Sequence, residues 1–134
     1  MDKAEIQKLC AGSMIENLGI EFLETRPGQV RLQMPVDKRT RQPFGFLHGG
    51  ATISLAETAA SFASYIEVGE GFACFGHHLD VSLLLAVPEG GYVYAGVSLS
   101  HKGRSTHIWD VRISDEEDVT VALIRVTVKI LKKN

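Results

Sequence analysis

The sequence predicts an α+β domain, one apolar helix laid against one antiparallel sheet. Three observations carry this reading. A single alanine-rich helical run lies near the middle, two strand-like runs precede it and four follow it, and the later runs are joined by connections short enough for antiparallel neighbours.

Residues 1 to about 17 carry a short helical pattern with Ile6, Leu9, Met14 and Ile15 as its apolar positions. A hairpin is expected next, from Ile20 to Thr25 and from Gln29 to Pro35, turning at Arg26-Pro27-Gly28-Gln29. Proline then glycine at the two central positions suits a type II turn. Val30, Leu32 and Met34 alternate with Arg31 and Gln33, as in a sheet with one wet face. Polar residues from Asp37 to Gln42 lead into Pro43-Phe44-Gly45 and His48-Gly49-Gly50, and the helical pattern runs on to Ile66. Beyond Gly69 and Gly71 the chain reads as strands: 72–87, closed by Pro88-Glu89-Gly90-Gly91, then 92–100, 106–113 and 119–131. No repeat or linker interrupts this order, so residues 1–134 are expected to form one domain.

With 45% apolar and 22% charged residues and a formal net charge of -2, the chain offers no electrostatic reason to bind nucleic acid or an anionic membrane. No run is long enough to span a bilayer, and Met1-Asp2-Lys3-Ala4-Glu5 leads into no signal-peptide core, which makes the cytoplasm the expected compartment. Cys10 and Cys74 are read as reduced, partly buried thiols. His77 and His78, adjacent on a strand, point to opposite faces and lack an evident third ligand, so no metal is expected.

On the central helix, Leu55, Ala59, Phe62 and Ile66 form one apolar stripe, while Ser54, Glu57, Ser61 and Ser64 gather on roughly the opposite side. Glu57 is the only charged residue between Gly49 and Ile66, among small neighbours. It reads either as an exposed glutamate on a weakly polar helix or as a carboxylate held at an enclosed interface for chemistry. Ser61, one turn on, could touch the same substrate or water. Gly49 stands where the helix opens, and its N–H could serve an oxyanion; the glycines could equally do no more than shape a tight turn. His48 could orient a substrate, hold Gln42 or pack the loop. Gly49 and Glu57 are separated by roughly 12 Å along the axis, too far for one small reacting group to touch both. Two antiparallel helices in a symmetric dimer would set Glu57 of one chain against Gly49 of the other.

The run from Arg39 to Ala51 (Arg-Thr-Arg-Gln-Pro-Phe-Gly-Phe-Leu-His-Gly-Gly-Ala), followed by Leu55-Ala56-Glu57-Thr58 and Ser61, resembles the hot-dog acyl-CoA thioesterases of the PaaI-like kind. The similarity is greatest to the subgroup holding 1,4-dihydroxy-2-naphthoyl-CoA hydrolase, the enterobactin proofreading thioesterase and the Arthrobacter-type 4-hydroxybenzoyl-CoA thioesterase. It covers nearly the whole chain, strand order included. The resemblance implies the hot-dog fold, a sheet wrapped around the long helix. It implies Glu57 as nucleophile or as base on water, Gly49 N–H polarising the thioester carbonyl, and Gln42 and His48 assisting. It further implies substrate contacts from Ser61, Gly50 and Gly76, and a loop Lys102-Gly103-Arg104-Ser105-Thr106 receiving the pantetheine and phosphates of CoA. The expected substrate is an acyl-CoA, aromatic by analogy, with 1,4-dihydroxy-2-naphthoyl-CoA a candidate. No separate cofactor is expected, and the expected assembly is a homodimer or a tetramer of two dimers. One departure stands out: Ser82-Leu83-Leu84-Leu85 replaces the Asn-His and basic residue of the relatives.

Two other functions fit the same fold. A non-enzymatic acyl-CoA-binding module would keep the groove but has no use for a carboxylate at Glu57. A dehydratase acting on acyl-carrier-protein substrates would use a histidine and a carboxylate, and loss of water from 3-hydroxyacyl substrates would reveal it.

Overall fold

A computed structural model describes residues 1–134. Two short helices, α1 (Lys3–Leu9) and α2 (Met14–Asn17), precede the hairpin β1 (Glu21–Arg26) and β2 (Gln29–Pro35). The long helix α3 (Gly49–Val68) follows, then β3 (Phe72–Leu83), β4 (Tyr92–Lys102), β5 (Thr106–Ser114) and β6 (Thr120–Lys132). The strands form one antiparallel sheet in the order β1-β2-β4-β5-β6-β3, and α3 contacts every one of them, so the sheet wraps around the helix. The α+β architecture expected from the sequence is the one found.

Three local expectations need correction. The N-terminal helical pattern is two helices, because Gly12 takes φ +77° and the Ser13 side chain caps a new start by accepting from Ile15 N–H. The strand after α3 ends at Leu83 rather than Val87. The N–H groups of Leu84 and Leu85 both turn to Val121 O (2.9 and 3.2 Å), and Val87 O takes the N–H of Leu47 (2.8 Å). Cys10 is fully buried, not partly so, while Cys74 is half-buried; burial pushes the Cys74 thiol up to about 11. The hairpin turn is as expected, with Gly28 at φ +72°.

The buried face of α3 is Ala51, Thr52, Leu55, Ala56, Ala59, Ala60, Ala63 and Ser64. This is a rotation from the expected stripe: Leu55 and Ala59 are inside, but Phe62 and Ile66 lie half-buried at its margin. A sheet curled this closely admits small residues at the helix axis and pushes large ones to its rim. There Phe62 meets Phe22 edge-on, with ring centroids 5.1 Å apart. Ser64 is likewise not on the Glu57 face. It is buried against β5, where Trp109 Nε1 donates to Ser64 Oγ (2.7 Å) and His107 Nδ1 lies 2.8 Å away. With the indole donating to it, the hydroxyl is free to donate to His107 Nδ1. Burial, with Lys102 nearby, holds His107 below its ordinary pKa, which keeps the ring neutral as such an acceptor must be.

Candidate active site

The helix α3 runs antiparallel to β3, its neighbour along one edge of the sheet. At one end a Cβ added to Gly49 would meet Leu83 Cδ1 at 2.7 Å; midway, one added to Gly76 would meet Glu57 Cγ at 2.7 Å and Cδ and Oε2 at 2.8 Å. Ser61, a turn further on, shares a cavity with Cys74. The row Gly49, Glu57, Ser61 therefore opens beside β3, which pairs only with β6 and leaves its other edge without a strand.

At the helix start, His48 has extended backbone (φ -72°, ψ 132°) and its Nδ1 accepts from Gly50 N–H at 2.8 Å. This cap takes up the Gly50 donor. The Gly49 N–H, first in the helix, has no acceptor in the chain and carries the positive end of the helix dipole. Gln42 shapes the preceding loop: its Oε1 accepts from Phe44 N–H (2.6 Å) and Phe46 N–H (3.2 Å). No hydrogen bond joins His48 to Gln42; the Nδ1 of one and the Oε1 of the other each accept from a backbone N–H.

Glu57 is half-buried and enters none of the five ion pairs. Its carboxylate lies in the notch left by the missing side chain of Gly76, at the irregularity in β3 between Gly76 and His78. Gly76 thus seats the carboxylate; a residue with a Cβ there would displace it. Spacing alone could not have found this, because it joins two segments nineteen positions apart only once the helix folds back on β3.

The turn between β4 and β5 lies at the far end of α3, where Lys102 Nζ reaches Glu67 Oε2 at 3.1 Å. Gly103 N–H donates to Thr106 O (2.8 Å), Ser105 O accepts from Ile130 N–H (2.9 Å), and Arg104 is exposed without an ion pair. Within one chain, then, Gln42, His48, Gly49 and Gly50 share one end of the helix and Lys102 to Thr106 the other, with Glu57 between. His77 and His78 are both exposed, and no three His, Cys, Asp or Glu side chains gather as a metal site requires. No helix is long and apolar enough to cross a membrane.

Residues 44–122, which run from the loop before α3 into β6, match the family described as Thioesterase superfamily. The chain belongs to that superfamily. This thioesterase is 34% identical to the 1,4-dihydroxy-2-naphthoyl-CoA hydrolase of Listeria monocytogenes, over 88% of its own length and 95% of that protein's. It is 40% identical to the proofreading thioesterase EntH of Cronobacter turicensis, over 79% of its own length and 77% of that protein's. A crystal structure of a thioesterase from Haemophilus influenzae superposes with a TM-score of 0.93 at 32% identity, covering 98% of this chain and 92% of that one. The fold is the hot-dog fold of these thioesterases, and the protein is a thioester hydrolase.

Proposed function

We propose that this thioesterase hydrolyses acyl-CoA esters at sites shared between two subunits, Glu57 of one subunit facing Gly49 of the other. The observation that carries the reading is the pairing of a free N–H at the helix start with a carboxylate two turns on, both beside β3, a strand whose outer edge is unpaired. If the twelve-residue β3 strands of two copies pair antiparallel across a two-fold axis, the adjoining helices also lie antiparallel. Each Glu57 then comes opposite a Gly49, which removes the roughly 12 Å separation within one chain. A homodimer is the smallest assembly that holds a complete site, and a tetramer of two dimers holds four.

In this site the thioester carbonyl accepts from Gly49 N–H, which stabilises the negative charge that develops on oxygen. Glu57 either takes the proton of the attacking water or attacks the carbonyl carbon itself, giving an anhydride that water then opens. Both routes break the carbon–sulfur bond, release CoA as its thiol and leave a carboxylic acid. Ser61 is placed to hold the water or the acyl group, while Gln42 and His48 support the loop from which the Gly49 N–H points. The Lys102–Thr106 turn is anchored beside Glu67, ten residues and about 15 Å along the helix from Glu57. That separation is on the scale of a pantetheine arm and suits Lys102, Arg104 and the local amides to the phosphates at its end. The relative named 1,4-dihydroxy-2-naphthoyl-CoA hydrolase supports aromatic acyl groups, 1,4-dihydroxy-2-naphthoyl among them, as the first to assay.

Glu57→Gln tests the reading. It keeps shape while removing the anionic oxygen that either route needs, so turnover measured as free-thiol release should fall by at least about 10²-fold with the fold retained. A folded Glu57→Gln protein with near wild-type kcat would overturn the mechanism and favour a binding module.

A further inference from the structure

We infer that Thr40 is a positioning residue for the hydrolysis: its buried hydroxyl sets the direction of the Gly49 N–H by fastening the loop ahead of α3 to the end of β2. This rests on the proposed role of that N–H as donor to the thioester carbonyl. Between β2 and α3, Thr40 is the one buried polar side chain, only 2% exposed. Its Oγ1 donates to Pro35 O at 2.7 Å and accepts from Asp37 N–H at 3.1 Å. Pro35 is the last residue of β2 and is still in register with Tyr92 of β4, so the hydroxyl is tied to the frame of the sheet. The carbonyl of the same residue, Thr40 O, accepts from His48 N–H at 2.8 Å. Thr40 alone therefore links β2 to the residue before Gly49, by its side chain at one end and its backbone at the other.

The neighbouring N–H, of Leu47, donates to a different part of the chain, Val87 O at 2.8 Å. The segment leading into the helix is thus held by two ties, one made by backbone alone and one that depends on the Thr40 side chain. The His48 carbonyl is fixed as well, accepting from Ala51 N–H (3.0 Å) and Thr52 N–H (3.2 Å) in the first turn of α3. The His48–Gly49 peptide is trans, so its N–H runs opposite to that carbonyl, away from the body of the helix. Holding His48 at both its N–H and its C=O therefore aims the Gly49 N–H. A donor to a developing oxyanion is sensitive to such aim, for a misplacement of about 1 Å costs on the order of 10²-fold in rate. Without the Thr40 hydroxyl, Pro35 O and Asp37 N–H lose the partner that joins them. The turn from Asp37 to Arg41 then rearranges to find another, and the carbonyl that holds His48 moves with it.

The test is a double-mutant cycle on the full-length enzyme, with kcat and KM for benzoyl-CoA and hexanoyl-CoA read beside a thermal melt. Thr40→Val keeps the shape and removes the hydroxyl. Well below its melting temperature, kcat should fall at least about tenfold while KM stays within about twofold. Thr40→Ser returns the hydroxyl and should recover most of the rate. In a Gly49→Pro background no N–H remains to be aimed, so adding Thr40→Val should cost less than about twofold more. If Thr40→Val does not fold, Thr40→Cys takes its place in the cycle, since a thiol fills the site but bonds only weakly. A folded variant with kcat within about twofold of wild type would overturn the inference. So would equal losses in both backgrounds, which would make Thr40 a prop for the loop at large, or a Thr40→Ser enzyme no faster than Thr40→Val. Near wild-type kcat for Gly49→Pro alone would instead remove the donor role on which the inference rests.

Discussion

Gly76→Ala asks whether the carboxylate of Glu57 must lie where the notch in β3 holds it. The new methyl would sit 2.7 to 2.8 Å from Glu57 Cγ, Cδ and Oε2. Carbon atoms in contact rest at about 3.5–4.0 Å, so the side chain must retreat by about 1 Å. Because the obstructed atoms belong to the free end of a flexible side chain, it can swing aside. The stability cost should stay near or below the ~1 kcal/mol lower end of overpacking, partly offset by the entropy that alanine saves in the unfolded chain. Catalysis has no such tolerance, for a misplacement of about 1 Å is worth on the order of 10²-fold in rate. The assay is initial free-thiol release across a range of acyl-CoA concentrations, read beside a thermal melt. Gly96→Ala is the control, a strand glycine with nothing within 4 Å of its added Cβ, and it should leave kcat unchanged while raising the melting temperature slightly. If Gly76→Ala folds and keeps kcat within twofold of wild type, the seating of Glu57 by Gly76 is not what positions the carboxylate.

Gly49→Pro should remove the free N–H while the helix still forms, because proline suits the first helical position and His48 already has the extended backbone a following proline requires; the new Cβ meets Leu83 Cδ1 at 2.7 Å, the end of a flexible side chain that must swing aside, and kcat should fall at least about 10²-fold. Mixing that variant with Glu57→Gln should restore roughly a quarter of wild-type activity, since half of randomly mixed dimers are hybrid and each then holds one intact site of two. Recovery would fail if both groups act within one subunit, and an active monomer in sedimentation would say the same. Arg104→Ala should raise KM for CoA esters more than it lowers kcat and should leave a pantetheine ester lacking the nucleotide unaffected; equal damage to both would make Arg104 structural. Finally, burial holds His107 below its ordinary value, so the stability it contributes is complete above about pH 6.5 and is lost as pH falls through the depressed value. His107→Gln should flatten the fall of Tm below that pH, and an unchanged slope would assign the acid sensitivity elsewhere.

The hairpin around Pro27-Gly28, the long helix and the four later strands were legible in the sequence because each is written in local terms. Turn residues restrict φ, alternation reports a two-faced sheet, and short connections force antiparallel neighbours. The resemblance of the Gln42 to Ser61 stretch to thioesterases also lay in the residues themselves, and the superfamily match over residues 44–122 agrees with it. What local pattern could not supply was the rotation of α3. Hydrophobicity alone placed Phe62 and Ile66 on the inner stripe and Ser64 outside. The inner face is instead mostly alanine, with Thr52, Leu55 and Ser64, because a sheet curled around a helix favours small residues there and because Trp109 and His107 partner the serine. The seat of Glu57 at Gly76, the contact of Leu83 with Gly49 and the commitment of His48 to Gly50 are likewise tertiary facts. Two of them join residues many positions apart, and the third depends on a cap geometry that a His-Gly-Gly triplet does not require. Sequence specifies the groups able to do chemistry; only packing of the helix against β3 determines which of them are left free to do it.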